Sequence, residues 1–252
     1  MSDPRSDLPT HHVENQPDAR GDTDLWAADP VLRACVGPSA HLATYGQDLG
    51  RAQTRATGRA ANRHAPELTL FDAGGRRMDE VSFHPAYHQM MTLSQTAGYA
   101  ATAWDGGTHV EHAAMVYLAS QVEPGHCCPL TMTYAAVPAL AADPALAATW
   151  RPKLTARAYD PRTLPVDQKS SATLGMAMTE KQGGSDVRAN TTTAQRDGDH
   201  WRLTGHKWFC SAPMSDGFLT LAQTPAGLAC VLVPRWLDGT RNAVHLMRLK
   251  DK

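Results

Sequence analysis

The period of the apolar residues changes once along this chain, near Ala172. Up to that point apolar side chains recur at intervals of three and four, as they do on one face of a helix. Beyond it apolar and polar residues alternate, as in the run Trp201-Arg202-Leu203-Thr204, which is typical of a half-buried strand. Because helical and strand-like segments are segregated in this order, the sequence predicts an α+β fold, with a helical N-terminal domain followed by an antiparallel β-domain.

The clearest helix signal begins at Thr108. Thr108 and Glu111 have the T-x-x-E spacing of a capping box, in which each side chain satisfies a free backbone N–H of the first turn. Glu111 and His112 are expected to be exposed, and Pro124-Gly125 is predicted to end the helix. The apolar residues that follow the cap at helical spacing predict one buried face, made of Val110, Ala113, Ala114, Tyr117 and Leu118.

Other elements follow from shorter signals. Helices are predicted over 39–50, 85–104 and 132–140, and the pairs Asp-Pro and Arg-Pro at 143–144, 151–152 and 160–161 are expected to interrupt the chain. Asp197-Gly198 predicts a hairpin between 191–196 and 201–204, and a turn at 224–227 joins two further strands over 218–223 and 228–233. The basic pair Arg76-Arg77, after a Gly-Gly turn, is expected to be solvated.

Composition limits the possible partners. Lys and Arg total 24 and Asp and Glu total 25, so a net charge of -1 offers no global field for nucleic acid or an anionic membrane. No run approaches the roughly 18 apolar residues of a membrane span, and the N-terminus lacks the apolar core of a secretory signal. The five cysteines are odd in number and lack C-x-x-C spacing, which favours reduced thiols and a cytoplasmic location.

The chain is predicted to have three parts. Residues 1–24 are polar and rich in Pro and Asp, and we expect an arm or a disordered tail. Residues 25–172 are predicted to form the helical domain and residues 173–252 the β-domain.

The most informative stretch is 176–186, which reads MAMTEKQGGSD. An apolar strand passes through Thr179-Glu180 into Gly183-Gly184-Ser185. Adjacent glycines allow a backbone to approach a ligand closely, and successive N–H groups in such a turn can bind an anion. The hydroxyls of Thr179 and Ser185 add directional hydrogen-bonding groups. Taken alone, however, Gly-Gly-Ser is also an ordinary turn sequence.

A second stretch, 205–211, reads GHKWFCS and combines two adjacent aromatic residues with a hydroxyl. A planar heteroaromatic ligand with a phosphate tail needs a flat apolar wall, donors at the ring edge and a phosphate cradle. The aromatic residues could equally belong to the core. The chain has neither the GxGxxG of a dinucleotide-binding fold nor the Gly-Lys-Ser/Thr of a P-loop at these positions.

Together the two stretches resemble the acyl-CoA dehydrogenase family. Residues 177–186 match its flavin signature and residues 205–211 match its Gly-x-Lys-x-aromatic-x-Ser/Thr segment. The longer strings 178–187 and 205–209, with 83–86 (FHPA) and 248–252 (RLKDK), are similar to the AidB-type branch, which is linked to the alkylation response and is isovaleryl-CoA dehydrogenase-like. The resemblance extends over nearly all of the chain from about residue 15.

The resemblance implies an oxidoreductase that removes hydrogen from the α and β carbons of an acyl-CoA thioester, with noncovalently bound FAD. It implies that Met178 and Thr179 contact the isoalloxazine ring and that Gly184 and Ser185 lie near the pyrophosphate. Phe209 would pack on the ring, with Cys210 beside it and Ser211 near the N5/O4 edge. It also implies a homo-oligomer and a C-terminal helical bundle that follows the β-domain and is missing here.

The catalytic residue is left unknown, because the family's glutamate base comes from that bundle in most members. Glu180 belongs to the flavin motif and is not assigned as the base. We therefore expect an N-terminal fragment that does not itself turn over acyl-CoA. The alternative is an alkylation-damage response protein with a mainly structural flavin, which binds nucleic acid through the missing part. No metal site is predicted, since His84 and His88 lack further ligands.

Overall fold

The structure is a computed structural model that describes residues 5–17 and 20–250. Arg248, Leu249 and Lys250 of the 248–252 string are therefore described, whereas Asp251 and Lys252 lie outside the described residues. The helices are α1 (Pro30–Val36), α2 (Ala40–Gly50), α3 (Ala52–Arg63), α4 (Pro85–Thr96), α5 (His109–Ser120), α6 (Cys127–Leu140) and α7 (Pro144–Leu154). Within the described residues no helix is long and apolar enough to cross a membrane.

Within residues 5–17 and 20–250 the strands form one larger sheet and three small pairs. The larger sheet contains β5 (Leu174–Ala177), β6 (Thr193–Asp197), β7 (His200–Thr204), β8 (Gly217–Thr224) and β9 (Gly227–Pro234). The pairs are β1 (Asp7–Leu8) with β2 (His11–His12), β3 (Glu67–Phe71) with β4 (Arg77–Ser82), and β10 (Trp236–Leu237) with β11 (Thr240–Arg241). The α+β class is confirmed.

Side-chain caps determine where several helices begin. Ser39 accepts a hydrogen bond from the Leu42 amide ahead of α2, and Thr108 and Glu111 form the predicted capping box ahead of α5. Asp143-Pro144 lies at the predicted interruption between α6 and α7 and starts α7, whereas Arg151-Pro152 lies inside α7 and does not interrupt it, so that part of the prediction is wrong. Asp143 caps two first-turn amides, and a proline in that turn loses no intrahelical hydrogen bond.

The buried face of α5 differs from the predicted one. Val110 and Tyr117 are 54% and 50% exposed, whereas His112 is buried, so its predicted exposure is wrong. The His112 Nδ1 atom lies 2.8 Å from the Tyr99 carbonyl oxygen, and its ring stacks on Tyr134 at a centroid separation of 3.6 Å. A histidine whose ring nitrogen is hydrogen-bonded can occupy a core position. The buried face of α5 therefore includes His112 and is rotated relative to the face that the apolar residues predict.

Other boundaries shift by less. The predicted helix over 85–104 ends at Thr96, and a short 3₁₀ turn over Thr102–Trp104 follows Gly98, whose φ of 87° is not helical. The helix predicted from 132 begins at Cys127. The hairpin β3–β4 was not predicted, and within it Arg77 is not simply solvated, because its guanidinium binds the Asp79 carboxylate.

The larger sheet is mixed rather than wholly antiparallel. The hairpins β6–β7 and β8–β9 are antiparallel, as predicted, with turns at 198–199 and 225–226. Strand β8 pairs in parallel with β5 and, through one residue pair, with β6. The chain leaves β5, forms the β6–β7 hairpin, and re-enters the sheet beside β5 in the same direction, which requires a crossover that alternation alone does not reveal.

The start of the first motif stretch is held by helix packing. Helices α6 and α7 cover β5 and β8 in a core cluster made of Ala136, Val137, Leu140, Trp150, Leu154, Ala172, Leu174 and Leu219. The contact is close: a Cβ atom on Gly217 would lie 3.0 Å from the Trp150 ring. Strand β5 is therefore fixed against the helices immediately before the chain reaches Met178.

Candidate functional site

The first motif stretch forms a tight turn after β5. The Glu180 amide donates to the Gly183 carbonyl at 3.3 Å, and the Gly183 amide donates back at 3.0 Å. Gly183 has a φ of 145°, which favours glycine. A Cβ atom on Gly184 would lie 2.7 Å from the Thr179 hydroxyl oxygen, so this turn packs directly on Thr179 only because position 184 carries no side chain.

Glu180 is fully buried beneath this turn, and its carboxylate accepts six hydrogen bonds. One oxygen receives the Thr191 amide at 2.8 Å and the Thr191 hydroxyl at 3.0 Å, together with the Gln182 amide group at 2.6 Å. The other receives the Thr192 amide at 3.0 Å, the Thr192 hydroxyl at 2.5 Å and the Lys207 ammonium at 2.9 Å. The carboxylate thus joins the first motif stretch, the start of β6 and the second motif stretch.

Burial alone would favour the neutral form of Glu180, but the bonds from Thr192, Thr191 and Lys207 outweigh it and hold the pKa of Glu180 well below its ordinary value. A carboxylate with such a low pKa, and with its lone pairs already occupied, is poorly suited to remove a proton at neutral pH. Glu180 is therefore a structural anion, and its geometry supports leaving it out of the catalytic assignment.

The two motif stretches are in direct contact. The Trp208 amide donates to the Thr179 carbonyl at 2.8 Å, and the Lys181 amide donates to the His206 ring at 3.1 Å. The Asn190 side chain donates to the Met178 carbonyl at 2.8 Å and fixes the preceding residue. Although 29 positions separate Thr179 from Trp208 in the sequence, their backbones form one continuous surface.

Phe209 stands out on this surface. It has a φ of 56° and is 61% exposed, an uncommon backbone conformation and an unusual exposure for a large aromatic residue. Ala212 also has a positive φ, of 54°. Backbone conformations of this kind cost energy and cluster at ligand-binding sites, where the surrounding structure imposes them.

Cations surround the aromatic pair. The Lys250 ammonium lies 4.8 Å from the centre of the Phe209 ring. Lys181 and Arg248 lie 5.7 Å and 5.9 Å from the Trp208 ring. These distances are typical of cation–π contacts, and they give the surface a local positive charge that the overall charge of -1 conceals.

The predicted cofactor residues fall into two groups by exposure. Met178, Thr179 and Cys210 are half-buried, and burial raises the pKa of the Cys210 thiol. Gly184, Ser185, Phe209 and Ser211 are exposed. Thr179 contacts Gly184 and Trp208. Ser211 lies near the other end of β5, where its carbonyl oxygen is 3.3 Å from the position of a Cβ atom on Gly175.

The donor set suits a flat ring that carries phosphates. It offers an exposed aromatic face at Phe209, hydroxyls at Thr179, Ser185 and Ser211, a glycine turn and nearby cations. Sequence reasoning missed the role of Lys207 as the partner of Glu180, although both residues lie inside the quoted motifs. It also missed Lys250 as a neighbour of Phe209.

The two histidines considered as metal ligands have other contacts. The His84 ring stacks on His64 at 4.1 Å, and the His88 ring lies 2.8 Å from the Tyr159 hydroxyl. Among the residues that the structure describes, no group of three or more His, Cys, Asp or Glu side chains could hold a metal ion.

Comparison with known proteins gives consistent matches to both halves of the chain. Residues 15–161 match the family described as the adaptive response protein AidB N-terminal domain, and residues 175–250 match the acyl-CoA dehydrogenase middle domain. AidB of Escherichia coli (strain K12) is 48% identical over 257 residues, which cover 96% of this chain and 47% of AidB.

Two solved structures are similar throughout. The Bd2924 apo-form has a TM-score of 0.79 at 28% identity, and the match covers 95% of this chain and 51% of the Bd2924 chain. Caenorhabditis elegans ACDH-11 in complex with C11-CoA has a TM-score of 0.77 at 25% identity, and the match covers 99% of this chain and 47% of the ACDH-11 chain.

The chain belongs to the acyl-CoA dehydrogenase family. Within that family it lies in the AidB branch, as the motifs predicted. It spans about half the length of the curated relatives it matches.

Proposed function

We propose that this chain forms the flavin-seating half of an FAD-dependent oxidoreductase that dehydrogenates acyl-CoA thioesters. The observation that carries the proposal is the junction of the two motif stretches. The Trp208 amide binds the Thr179 carbonyl at 2.8 Å, and the exposed Phe209 follows Trp208 directly in the chain. Family membership supports the same chemistry.

Each predicted residue has a proposed part in holding FAD. Met178 and Thr179 line the isoalloxazine, and Gly184 and Ser185 offer a glycine turn and a hydroxyl to the pyrophosphate. Phe209 supplies a flat apolar wall, with Cys210 beside it, and Ser211 supplies a hydroxyl to the ring edge. Bound FAD would provide a hydride acceptor at N5, and the residues of this chain would orient it.

The acyl-CoA substrate is proposed from the family and from one relative. ACDH-11, which shares the fold at 25% identity, has been crystallised with C11-CoA. The acyl-chain preference and the proton-abstracting base are not assigned. We also propose the division into an arm (1–24), a helical domain (25–172) and a β-domain (173–252), and a homo-oligomeric whole protein.

Anaerobic mixing tests the proposed function. The purified protein is reconstituted with FAD and mixed with acyl-CoA thioesters of several chain lengths, and the flavin absorbance is followed. Binding of FAD supports a flavin-seating role. Bleaching by an acyl-CoA supports dehydrogenation and would also show that this chain holds a proton-abstracting base. Failure of the folded protein to bind FAD contradicts the proposal. Salt-sensitive binding of duplex DNA by the whole protein, with FAD bound but not bleached by acyl-CoA, favours the nucleic-acid alternative instead.

A further inference from the structure

A second cluster of buried charge lies in the β3–β4 hairpin, around Asp79. Asp79 is 2% exposed and has a φ of 50°, in the left-handed region. Its carboxylate accepts two hydrogen bonds from Arg77, at 2.7 Å and 3.0 Å, and these outweigh burial to lower its pKa. Asp79 is thus a buried anion in a costly backbone conformation, which the surrounding structure must hold in place.

The contacts of Asp79 lead to the end of the described chain. The Leu246 amide donates to the Asp79 carboxylate at 2.9 Å. The Arg235 and Arg241 guanidinium groups donate to the Asp79 carbonyl at 2.9 Å and 3.0 Å. More than 150 positions separate Asp79 from each of these partners, so this one residue connects the hairpin to three positions in the segment 235–246.

Arg77 makes a second contact between the hairpin and Leu246. Its guanidinium donates to the Leu246 carbonyl at 3.1 Å while it holds Asp79. Both backbone polar groups of Leu246 are therefore bound to the hairpin. Four residues further on, Lys250 lies 4.8 Å from the centre of the Phe209 ring. Leu246 therefore anchors one end of the short segment 246–250, and the Lys250 ammonium lies against Phe209 at its other end. Between them, Arg248 lies 5.9 Å from the Trp208 ring.

We propose that Asp79 is a positioning residue for the flavin site, and that the group it positions, Lys250, is a cation that attracts the negative charge of FAD. This inference rests on the proposed function. The diphosphate carries its charge in every redox state of the cofactor. An ammonium on the surface proposed to receive the ring adds a positive potential, which is screened over a Debye length of roughly 8–10 Å.

A double-mutant cycle on FAD affinity tests the inference. The variants are Asp79→Asn, Lys250→Met and the double variant, with FAD binding followed by flavin fluorescence and folding by thermal unfolding. Lys250→Met keeps most of the chain length and removes the charge. We expect each single change to raise the dissociation constant about fivefold, and the double change to raise it no further than the larger single effect. Lys250→Met should also weaken the salt dependence of FAD binding and leave thermal unfolding unchanged.

The hairpin supplies a matched control. Asp72 pairs with the exposed Arg76 at 2.7 Å in the same hairpin, and Asp72→Asn should leave FAD affinity unchanged. If Asp79→Asn fails to fold, Arg241→Met takes its place in the cycle. It removes the hydrogen bond from the half-buried Arg241 to the Asp79 carbonyl.

The outcomes distinguish a failure of the proposed function from a failure of the roles inferred for Asp79 and Lys250. No FAD binding by the unmodified protein contradicts the proposed function. FAD binding that is unaffected by Lys250→Met, or single effects that multiply in the double variant, overturns this inference alone.

Discussion

Replacing Glu180 with Gln should lower the free energy of unfolding more than replacing any exposed charged residue in the sheet. The change neutralises an anion that accepts six hydrogen bonds and leaves the Lys207 ammonium, whose side chain is only 10% exposed, without its counter-charge. Removing one partner of a buried ion pair costs about 3–5 kcal/mol. Because glutamine keeps one carbonyl acceptor, we expect the low end, about 3 kcal/mol.

The measurement is urea unfolding followed by far-UV circular dichroism at neutral pH. Asp197→Asn is the matched control, because Asp197 pairs with Arg202 in the same sheet with side chains 54% and 72% exposed. The control should lose less than about 1 kcal/mol. The double change Glu180→Gln with Lys207→Met should recover part of the loss, since no unpaired charge remains buried. A loss below about 1 kcal/mol for Glu180→Gln would refute the structural role assigned to this carboxylate.

The same residue gives a pH dependence with a defined sign. The pKa of Glu180 is lower in the folded protein than its ordinary value of 4.5. Its contribution to stability is therefore fully present above about pH 4.5 and is lost as the pH falls through the folded pKa. The difference in unfolding free energy between the unmodified protein and Glu180→Gln should narrow as the pH is lowered below this value. A constant difference down to acid unfolding would contradict the assignment.

Three further changes address the flavin site, each read by FAD titration of the folded variant. Thr179→Ala should weaken FAD binding by about 1 kcal/mol, the usual size of one hydrogen bond, and unchanged affinity counts against its role. Gly184→Ala should weaken it at least as much, because the new Cβ would lie 2.7 Å from the Thr179 hydroxyl and displace it; an affinity equal to the unmodified protein contradicts this. Phe209→Ala should lower FAD affinity but change the unfolding free energy by less than about 0.5 kcal/mol, because the ring is largely exposed; a large loss of stability would show that the ring serves the core.

Local signals in the sequence predicted the elements that depend on local chemistry. The capping box at Thr108, the helix predicted over 39–50 and the hairpin at Asp197-Gly198 each need only neighbouring residues, and each is present in the structure. The two family motifs, 177–186 and 205–211, can likewise be recognised from short runs of residues, and the structure shows that these two runs are in contact.

Long-range contacts could not be predicted in this way. His112 is buried because the Tyr99 carbonyl and the Tyr134 ring receive it, and no residue beside it in the sequence shows this. The parallel pairing of β5 with β8 depends on a crossover, which the alternation pattern does not encode. No residue near Asp79 in the sequence indicates its partners Arg235, Arg241 and Leu246, which lie more than 150 positions away.

Within the candidate site, the sequence indicated candidate residues but not their geometry. Glu180 and Lys207 were both inside the motifs, but only the structure shows that they form one buried pair at 2.9 Å. Phe209 was predicted to pack on a ring. Its positive φ, its 61% exposure and the Lys250 ammonium beside it are properties of the folded chain.

A crystal structure of the protein soaked with FAD would show directly whether this surface holds the cofactor. We expect the isoalloxazine to lie against Phe209, with the Thr179 and Ser211 hydroxyls within about 2.5–3.2 Å of polar atoms at the ring edge. We also expect the diphosphate to lie beside the Gly184–Ser185 turn. FAD bound elsewhere, or a ring on this surface with Thr179 and Ser211 both out of hydrogen-bonding distance, would contradict it.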